Sequence, residues 1–155
     1  MAEKIWLSTD EQRAWRAYLE ATQLLFDGLE RQLGRDADLS HADYEILVHL
    51  SESPDRSMRM SELADRTLYS RSRLSHAVAR LERPGWVVRE ACDTDRRGTI
   101  ARLTDEGFAK LEASAPGHAR EVRRLMFDHL SADQVAQLEA IATTVRDVAS
   151  RVRRA

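Results

Sequence analysis

The sequence predicts a mainly α-helical fold with a small β-sheet, of the α+β class. Apolar residues recur every three or four positions over most of the 155 residues, which is the period of amphipathic helices. In the middle of the chain, two short β-prone segments flank a polar loop, which predicts a β-hairpin. A chain of this length suffices for one domain with a core and is too short to expect two.

The N-terminal part is predicted to form two helices. The first covers about residues 8–34, and Gly34 is expected to end it. Ser40 followed by Asp43 is typical of a capping box, so a second helix is predicted over residues 39–50.

The middle of the chain is predicted to alternate short elements. A polar loop follows the second helix, and the three-residue turn LYS separates two further helices. The predicted elements are a short strand at 57–60, helices at 60–67 and 71–83, and strands at 86–91 and 99–103 joined by the loop CDTDRRG.

The C-terminal part is predicted to be helical. Thr104 caps a helix with acidic residues in its first turn, and Pro116–Gly117 is expected to kink or interrupt that helix. Ser131 caps the last helix, whose apolar stripe is long. The two ends of the chain are more apolar than one small domain needs, which predicts a symmetric homodimer, with a self-contained bundle as the alternative.

Charge is segregated along the chain, although the net charge is only −2. Residues 56–102 carry 11 basic and 6 acidic side chains, whereas residues 1–55 carry 5 and 12. A basic middle between acidic and neutral ends is expected when one face meets a polyanion. A solvated charged surface is the alternative, and charge alone does not separate the two.

The predicted helix over residues 71–83 has two different faces. Its apolar residues fall in one narrow sector, whereas Arg, Ser and His occupy the opposite face. Those side chains suit the major groove of DNA, and the short helix and turn before them complete a helix-turn-helix. Taken alone, this helix also fits an ordinary amphipathic surface helix. The candidate DNA contacts are Ser70, which caps the helix, and Arg71, Ser72, Arg73, Ser75, His76 and Arg80.

The predicted hairpin adds a second basic element. Arg96 and Arg97 are expected to project from a turn that Gly98 permits, and Asp95 to hold the loop in shape. Two adjacent arginines on such a loop suit a phosphate or a narrow minor groove. A helix-turn-helix followed by a basic hairpin predicts a winged helix-turn-helix.

At these residues the chain resembles the MarR (multiple antibiotic resistance) family of transcription regulators. The resemblance lies in SELADRT, SRSRLSHAVARLERPGWVVRE and DTDRRGTIARLTDEG, and is close over about residues 40–107. The most specific mark is an Asp-x-Arg pair followed by an apolar strand that ends in Leu-Thr, here Asp95, Arg97, Leu103 and Thr104. Pro84 and Trp86 depart from the family pattern, which is interpreted as a change in packing.

The resemblance implies a dimer in which each recognition helix enters a major groove and each wing enters the flanking minor groove. We therefore expect one domain over residues 1–155, with a DNA-binding region at 40–107 and a dimerisation region at 1–39 and 108–155. The expected function is a ligand-responsive repressor, or another regulator of transcription, at a near-palindromic operator. The alternative is a small dimeric ligand-carrying or protein-docking helical protein without a DNA role.

The resemblance also implies a small aromatic or anionic effector where the helical base meets the winged region. The candidate ligand residues are Trp15, Arg16, Tyr18 and Tyr44, although each aromatic also fits a core or dimer interface. Cys92 lies at the wing, where oxidation would alter a DNA contact, and an ordinary strand-end thiol is the alternative interpretation.

Other function classes find no support in the sequence. The five histidines lack a metal-ligand spacing, and no nucleophile elbow or phosphate loop occurs, so we expect no metal, no cofactor and no enzyme. No apolar run reaches the length of a membrane span, and the N-terminus does not resemble a secretory signal. The single cysteine excludes an internal disulfide, so a cytoplasmic protein without a membrane partner is expected.

Overall fold

The computed structural model describes residues 5–92 and 95–154, with side chains for all of these except 95–97 and 154. Over this range the fold is mainly helical, with a small antiparallel sheet, as the sequence predicts. Single 3₁₀ turns lie at Pro54–Arg56 and Phe127–His129. The elements are α1 (Thr9–Ala37), α2 (His41–Ser51), β1 (Ser57–Arg59), α3 (Met60–Thr67), α4 (Arg71–Glu82), β2 (Val87–Cys92), β3 (Asp95–Leu103), α5 (Asp105–Leu125) and α6 (Ala132–Arg154).

Helix α1 is longer than its sequence pattern predicts. It passes through Gly34 and ends at Ala37, with Asp38 in the left-handed conformation as its C-cap. A glycine inside a helix costs only about 1 kcal/mol, and continuing the helix lets Leu33 and Ala37 face the core. The predicted capping box of α2 is present, because the backbone N–H of Asp43 donates to Ser40 Oγ and the Ser40 N–H donates back to the Asp43 carboxylate.

Helix α5 runs without a break through Pro116–Gly117, so the predicted interruption is wrong. Proline removes one helical hydrogen bond, and packing against α1 offsets that loss. The two helices approach closely at two glycines. A Cβ on Gly28 would lie 2.7 Å from a Leu125 methyl group, and one on Gly117 would lie 3.3 Å from the Gln32 amide.

The three strands form one antiparallel sheet in the order β1-β3-β2. Strand β1 pairs Met58 with Ala101, and the hairpin pairs Val88 with Arg102. The hairpin is tighter than predicted, because β3 begins at Asp95 rather than at Thr99 and Asp95 already pairs with Cys92. The pairing is irregular at this end, with a register shift between Ala91 and Cys92 that leaves residues 96–98 without a paired position on β2.

The core lies where α2, α3, α4 and the end of α1 pack against the sheet. The apolar face of α4 is buried as its period predicts, with no more than 1% of any of its four residues exposed. The largest fully buried side chains are Leu33, Ile46, Leu47, Leu50, Leu63, Leu74, Val78, Leu81 and Val87.

Helix α6 contrasts with this core, because it shares no extensive interface with any other described element. Its end approaches α3 through Arg153, whose guanidinium lies 3.8 Å from the Asp65 carboxylate. Its apolar stripe faces solvent, with Ile141, Val145, Val148 and Val152 between 56% and 73% exposed. None of the described helices combines the length and apolar character that a bilayer crossing requires.

Candidate nucleic-acid interface

Helices α3 and α4 are joined by the tight turn that the sequence predicts. Leu68 adopts a left-handed conformation with φ 59°, and the backbone N–H of Tyr69 donates to the Ala64 carbonyl at 3.1 Å. Ser70 then caps α4, because its Oγ accepts the backbone N–H of Arg73 at 3.2 Å. This turn sets the direction in which α4, the recognition helix, leaves the core.

The outer face of the recognition helix is polar and open. Most of the predicted contacts lie on it, and Ser75 is half-buried at its edge. Because the opposite face is fixed in the core, this outer face has a defined orientation. The exposed predicted residues are Ser70, Arg71, Ser72, Arg73, His76 and Arg80.

Two of the predicted contacts already have partners within the chain. The Arg80 guanidinium lies 2.8 Å from the carboxylate of Asp43, whose side chain is only 11% exposed. Ser75 Oγ accepts a hydrogen bond from Arg89 at 3.4 Å, and Arg89 also binds Glu82 at 2.6 Å. Ser75 and Arg80 remain predicted DNA contacts, but each would exchange an existing interaction for DNA.

Arg73 is held differently, by an aromatic ring. Its guanidinium lies 4.1 Å from the centre of the Tyr69 ring. The Tyr69 hydroxyl donates to Glu45 Oε2 on α2 at 2.5 Å. Burial, and then the bonded Glu45 carboxylate, raise the pKa of Tyr69 to about 12, so its hydroxyl remains a donor at neutral pH.

A groove between the recognition helix and the hairpin contains two arginines that the sequence patterns do not single out. Arg59 and Arg89 line it together with Arg71, beside Gly98 and Thr99. Their proximity depends on how β2 turns back after α4, which no local pattern records. Three arginines in one groove suit a phosphate backbone.

The predicted wing residues Asp95, Arg96 and Arg97 lie on strand β3 rather than in a loop. Their side chains lie outside the described part of the structure, so their DNA contacts stay predictions. The base of the hairpin is well held, because Arg102 forms a two-pronged pair with Glu90 at 2.9–3.2 Å. That hydrogen-bonded guanidinium lowers the pKa of Glu90.

The four predicted ligand residues do not meet within one chain. Trp15 and Tyr18 stack on each other with centroids 6.1 Å apart, on an exposed part of α1 that also carries Arg16. Tyr44 instead packs against His118 on α5, at 4.4 Å between ring centroids. Phe26 lies eleven positions, about 16 Å of helix, after Trp15 on α1. It is Phe26 that reaches the surroundings of Tyr44, through its contact with His41. These four residues therefore do not line a common pocket in a single chain.

Other aromatic and basic residues line a groove beside the recognition helix, between α1, α2 and α4. Its cavity volume is about 760 Å³, and it is open to solvent. The lining combines aromatic rings with Arg73 and Arg80, and it also includes the carboxylates of Asp27 and Glu30. Because Arg80 is paired with Asp43, Arg73 is the cation that an aromatic acid would meet there. Residues that line it include Phe26, His41, Tyr69, Arg73, His76 and Arg80.

In the described part of the chain, Cys92 and the histidines form neither an accessible reactive thiol nor a metal site. Cys92 is only 6% exposed, whereas a reactive thiol needs access. Within the described ranges, no group of three His, Cys, Asp or Glu side chains is arranged to hold a metal ion. Burial and the neighbouring His41 lower the pKa of His118.

Comparisons with known proteins agree with this geometry. A family model described as the MarR family matches residues 37–98. The chain is similar to Sco3205, a MarR family transcriptional regulator from Streptomyces coelicolor solved in complex with DNA. The two are 51% identical over 95% of this chain and 92% of that one, with a TM-score of 0.90. AbsC, another MarR family transcriptional regulator from Streptomyces coelicolor, is 42% identical over 97% of this chain and 99% of its own, with a TM-score of 0.87.

The similarity also extends to a curated relative from outside Streptomyces. The HTH-type transcriptional regulator MhqR of Bacillus subtilis (strain 168) is 31% identical over 91 residues, which are 59% of this chain and 59% of that protein. Matches to the curated relatives cover between 51% and 66% of their length. The predicted winged fold, family and role in transcription are confirmed: the chain belongs to the MarR family of transcriptional regulators.

Proposed function

We propose that this regulator binds a near-palindromic DNA operator as a homodimer and acts as a ligand-responsive repressor. The observation that carries the proposal is the outer face of α4, which is exposed and basic while its apolar face is held in the core. We assign residues 40–107 to DNA binding and residues 1–39 and 108–155 to dimerisation. We assign the chain no catalytic step.

The N-terminal half of the recognition helix is the part that reads bases in our proposal. Arg71, Ser72, Arg73 and His76 are exposed there, and Arg and Ser or His can bond base edges in the major groove. Ser70 starts the helix, so its first N–H groups are available to a phosphate.

We assign the arginine groove and the wing to the DNA backbone and the minor groove. Arg59 and Arg89 lie beside Arg71, and an arginine that binds a phosphate displaces a counterion from DNA, although Arg89 must first leave Glu82. Arg96 and Arg97 follow along β3, from which we place them in the flanking minor groove.

The homodimer is proposed from the unpartnered stripe on α6. Four apolar side chains at spacings of four and three lie on one helix face, and all are more than half exposed. Helix α1 also exposes Trp15, Leu19 and Leu24. A second copy that covers both surfaces gives a two-fold protein, and half-sites about one helical turn apart, about 34 Å, follow from that symmetry.

A gel-shift assay tests DNA binding directly. The parent chain is titrated onto the DNA upstream of its own gene, with a shuffled duplex of equal composition as control. We expect a shift at a protein concentration at least about 1,000-fold lower for the specific duplex, since specific binding exceeds non-specific binding by that margin or more. Equal binding to both duplexes, or none, would favour the ligand-carrying or protein-docking alternative.

For the effector, we propose the groove beside α4, between α1, α2 and α4, as the binding site of a small aromatic acid. Arg73 supplies the positive charge for the acid group, and Phe26 supplies an aromatic wall. Because Arg73 and His76 of the outer face also line this groove, a compound bound there occupies side chains that DNA needs and competes with the operator. By linkage, DNA must weaken the binding of the compound by the same factor by which the compound weakens the binding of DNA.

The effector is tested with a panel of small aromatic acids in the gel-shift assay. We expect at least one to release the operator and Phe26→Ala to reduce that release, whereas Tyr18→Ala, outside the groove, should respond like the parent. If Tyr18→Ala abolishes release and Phe26→Ala does not, the effector site lies instead near Trp15 and Tyr18. No release by any acid would contradict the ligand response.

A further inference from the structure

We infer that Tyr69 is a positioning residue that holds the Arg73 guanidinium ready to read a DNA base. This assignment rests on the proposed operator binding and names the residue that sets specificity within it. Tyr69 lies in the turn before the recognition helix, outside the outer face on which DNA contacts are expected.

The first support is the way in which Arg73 is held. Among the described residues, its guanidinium has no ion pair and no side-chain hydrogen bond, and it stacks over the Tyr69 ring at 4.1 Å. Arg80 and Arg89, in contrast, are paired with Asp43 and Glu82. Arg73 therefore keeps its charge and its N–H donors available to a ligand.

The second support is the rigidity of the ring itself. The Tyr69 hydroxyl donates to the Glu45 carboxylate at 2.5 Å, and its backbone N–H is bonded to Ala64. The ring is thus fixed by α2 on one side and by α3 on the other. The same helix α2 holds the other end of the recognition helix through Asp43 and Arg80.

These contacts have a consequence for recognition. A guanidinium that stacks through its face still presents N–H donors along its edge, in the fork that matches guanine O6 and N7. Because the ring already restricts the rotamers of Arg73, less side-chain entropy is lost when DNA binds. An arginine paired with a carboxylate must instead break that pair first.

The test is a double-mutant cycle on DNA. The probe is the duplex that the parent chain enriches most from a random library. We expect Tyr69→Leu and Arg73→Ala each to weaken binding about tenfold, and the double variant to be at most about twofold weaker than either single variant. Tyr69→Phe keeps the ring and loses only the Glu45 bond, so we expect less than about a threefold loss.

A matched cycle controls for a general loss of structure. Arg83 is exposed immediately after the recognition helix, at the end remote from Tyr69, so the effects of Tyr69→Leu and Arg83→Ala should multiply rather than overlap. Circular dichroism and melting temperature establish that each variant is folded. Tyr69→Phe retains the core packing and keeps the test valid if Tyr69→Leu fails to fold.

A second library selection measures specificity. Tyr69→Leu and Arg73→Ala should both lose base preference at the same pair in each half-site and keep it elsewhere. Losses that multiply, an unchanged preference in Tyr69→Leu, or a Tyr69→Phe variant as weak as Arg73→Ala would each overturn the positioning role. If the parent chain enriches no sequence at all, the proposed operator binding itself fails.

Discussion

The recognition helix α4 and the C-terminal helix α6 carry similar apolar stripes and bury them to very different extents. In α4, four apolar residues are at most 1% exposed and pack among the other helices and the sheet. In α6, four apolar residues are between 56% and 73% exposed. The same helical period thus leads to a closed core in one region and to an open surface in the other.

This difference indicates which region is stable within one chain. Full burial of a Val, Leu or Ile side chain contributes about 1.5–3 kcal/mol, and α4 gains this contribution from its own domain. Helix α6 lacks most of this contribution, because its apolar side chains stay exposed unless a second surface packs against them. We conclude that the winged region is stabilised by apolar burial within the chain, whereas the apolar stripe of α6 gains no such burial from its own chain.

The largest effect is expected from Gly107→Ala in the closed region. A Cβ there would lie 2.1 Å from the Trp86 carbonyl oxygen and 2.7 Å from a Leu103 methyl group. Since the backbone of the hairpin cannot move without disturbing the core, we expect the free energy of unfolding to fall by about 3 kcal/mol. Urea denaturation measures the change.

Gly34→Ala is the matched control for this substitution, in the exposed part of α1. A Cβ at this position would meet no neighbouring atom within 4 Å, and the residue is helical. The same change should therefore raise the free energy of unfolding by about 0.5–1 kcal/mol. Equal effects at the two glycines would contradict the contrast between closed and open regions.

The next-largest effect is expected from charges placed on the exposed apolar stripe of α6. The double substitution Ile141→Glu and Val145→Glu places two charges on the surface that a second copy is proposed to cover. We expect a monomer in sedimentation experiments and operator binding at least about 100-fold weaker, because one chain then engages one half-site.

Ser150→Glu is the control for the stripe, since it adds one charge on the opposite face of α6. It should leave the dimer and the operator affinity unchanged. A dimer that survives the double substitution would show that the chain associates through another surface.

A smaller effect is expected at the wing. Arg97→Ala should weaken binding to all DNA sequences by a similar factor and lower the slope of log affinity against log salt by about one. Arg146→Ala, at an ion-paired position on α6, should leave the slope unchanged. An unaltered slope in Arg97→Ala would remove this arginine from the interface.

The smallest effect is a titration. Tyr69 has a pKa of about 12 in the folded chain, above the ordinary value of 10.0, because of burial and its bond to Glu45. Its contribution to stability is full below pH 10 and is lost as the pH rises towards about 12. Phenolate absorbance should lose its highest step in Tyr69→Phe and keep it in Tyr44→Phe. Alkaline unfolding that is equally steep in Tyr69→Phe and the parent would contradict this assignment.

Local patterns predicted most of the winged region. The buried face of α4, the Ser40 cap and the turn before Ser70 all follow from residues close together in the sequence, and the structure contains them. Gly34 and Pro116 misled the prediction because a glycine or proline inside a helix has a local cost, about 1 and about 3 kcal/mol, that tertiary packing can offset: Leu33 and Ala37 are buried beyond Gly34, and α5 packs against α1 around Gly117.

The sequence by itself determined the helical periods, the caps, the basic middle segment and the family. Only the tertiary structure decided which polar side chains meet, because Glu45 and Tyr69 lie 24 positions apart and Asp43 and Arg80 lie 37 apart. Periodicity places a residue on a face, but it cannot indicate which distant residue that face will contact. For the same reason the sequence could not show that, within one chain, Trp15 and Tyr18 stack on each other while Tyr44 packs against His118 on α5.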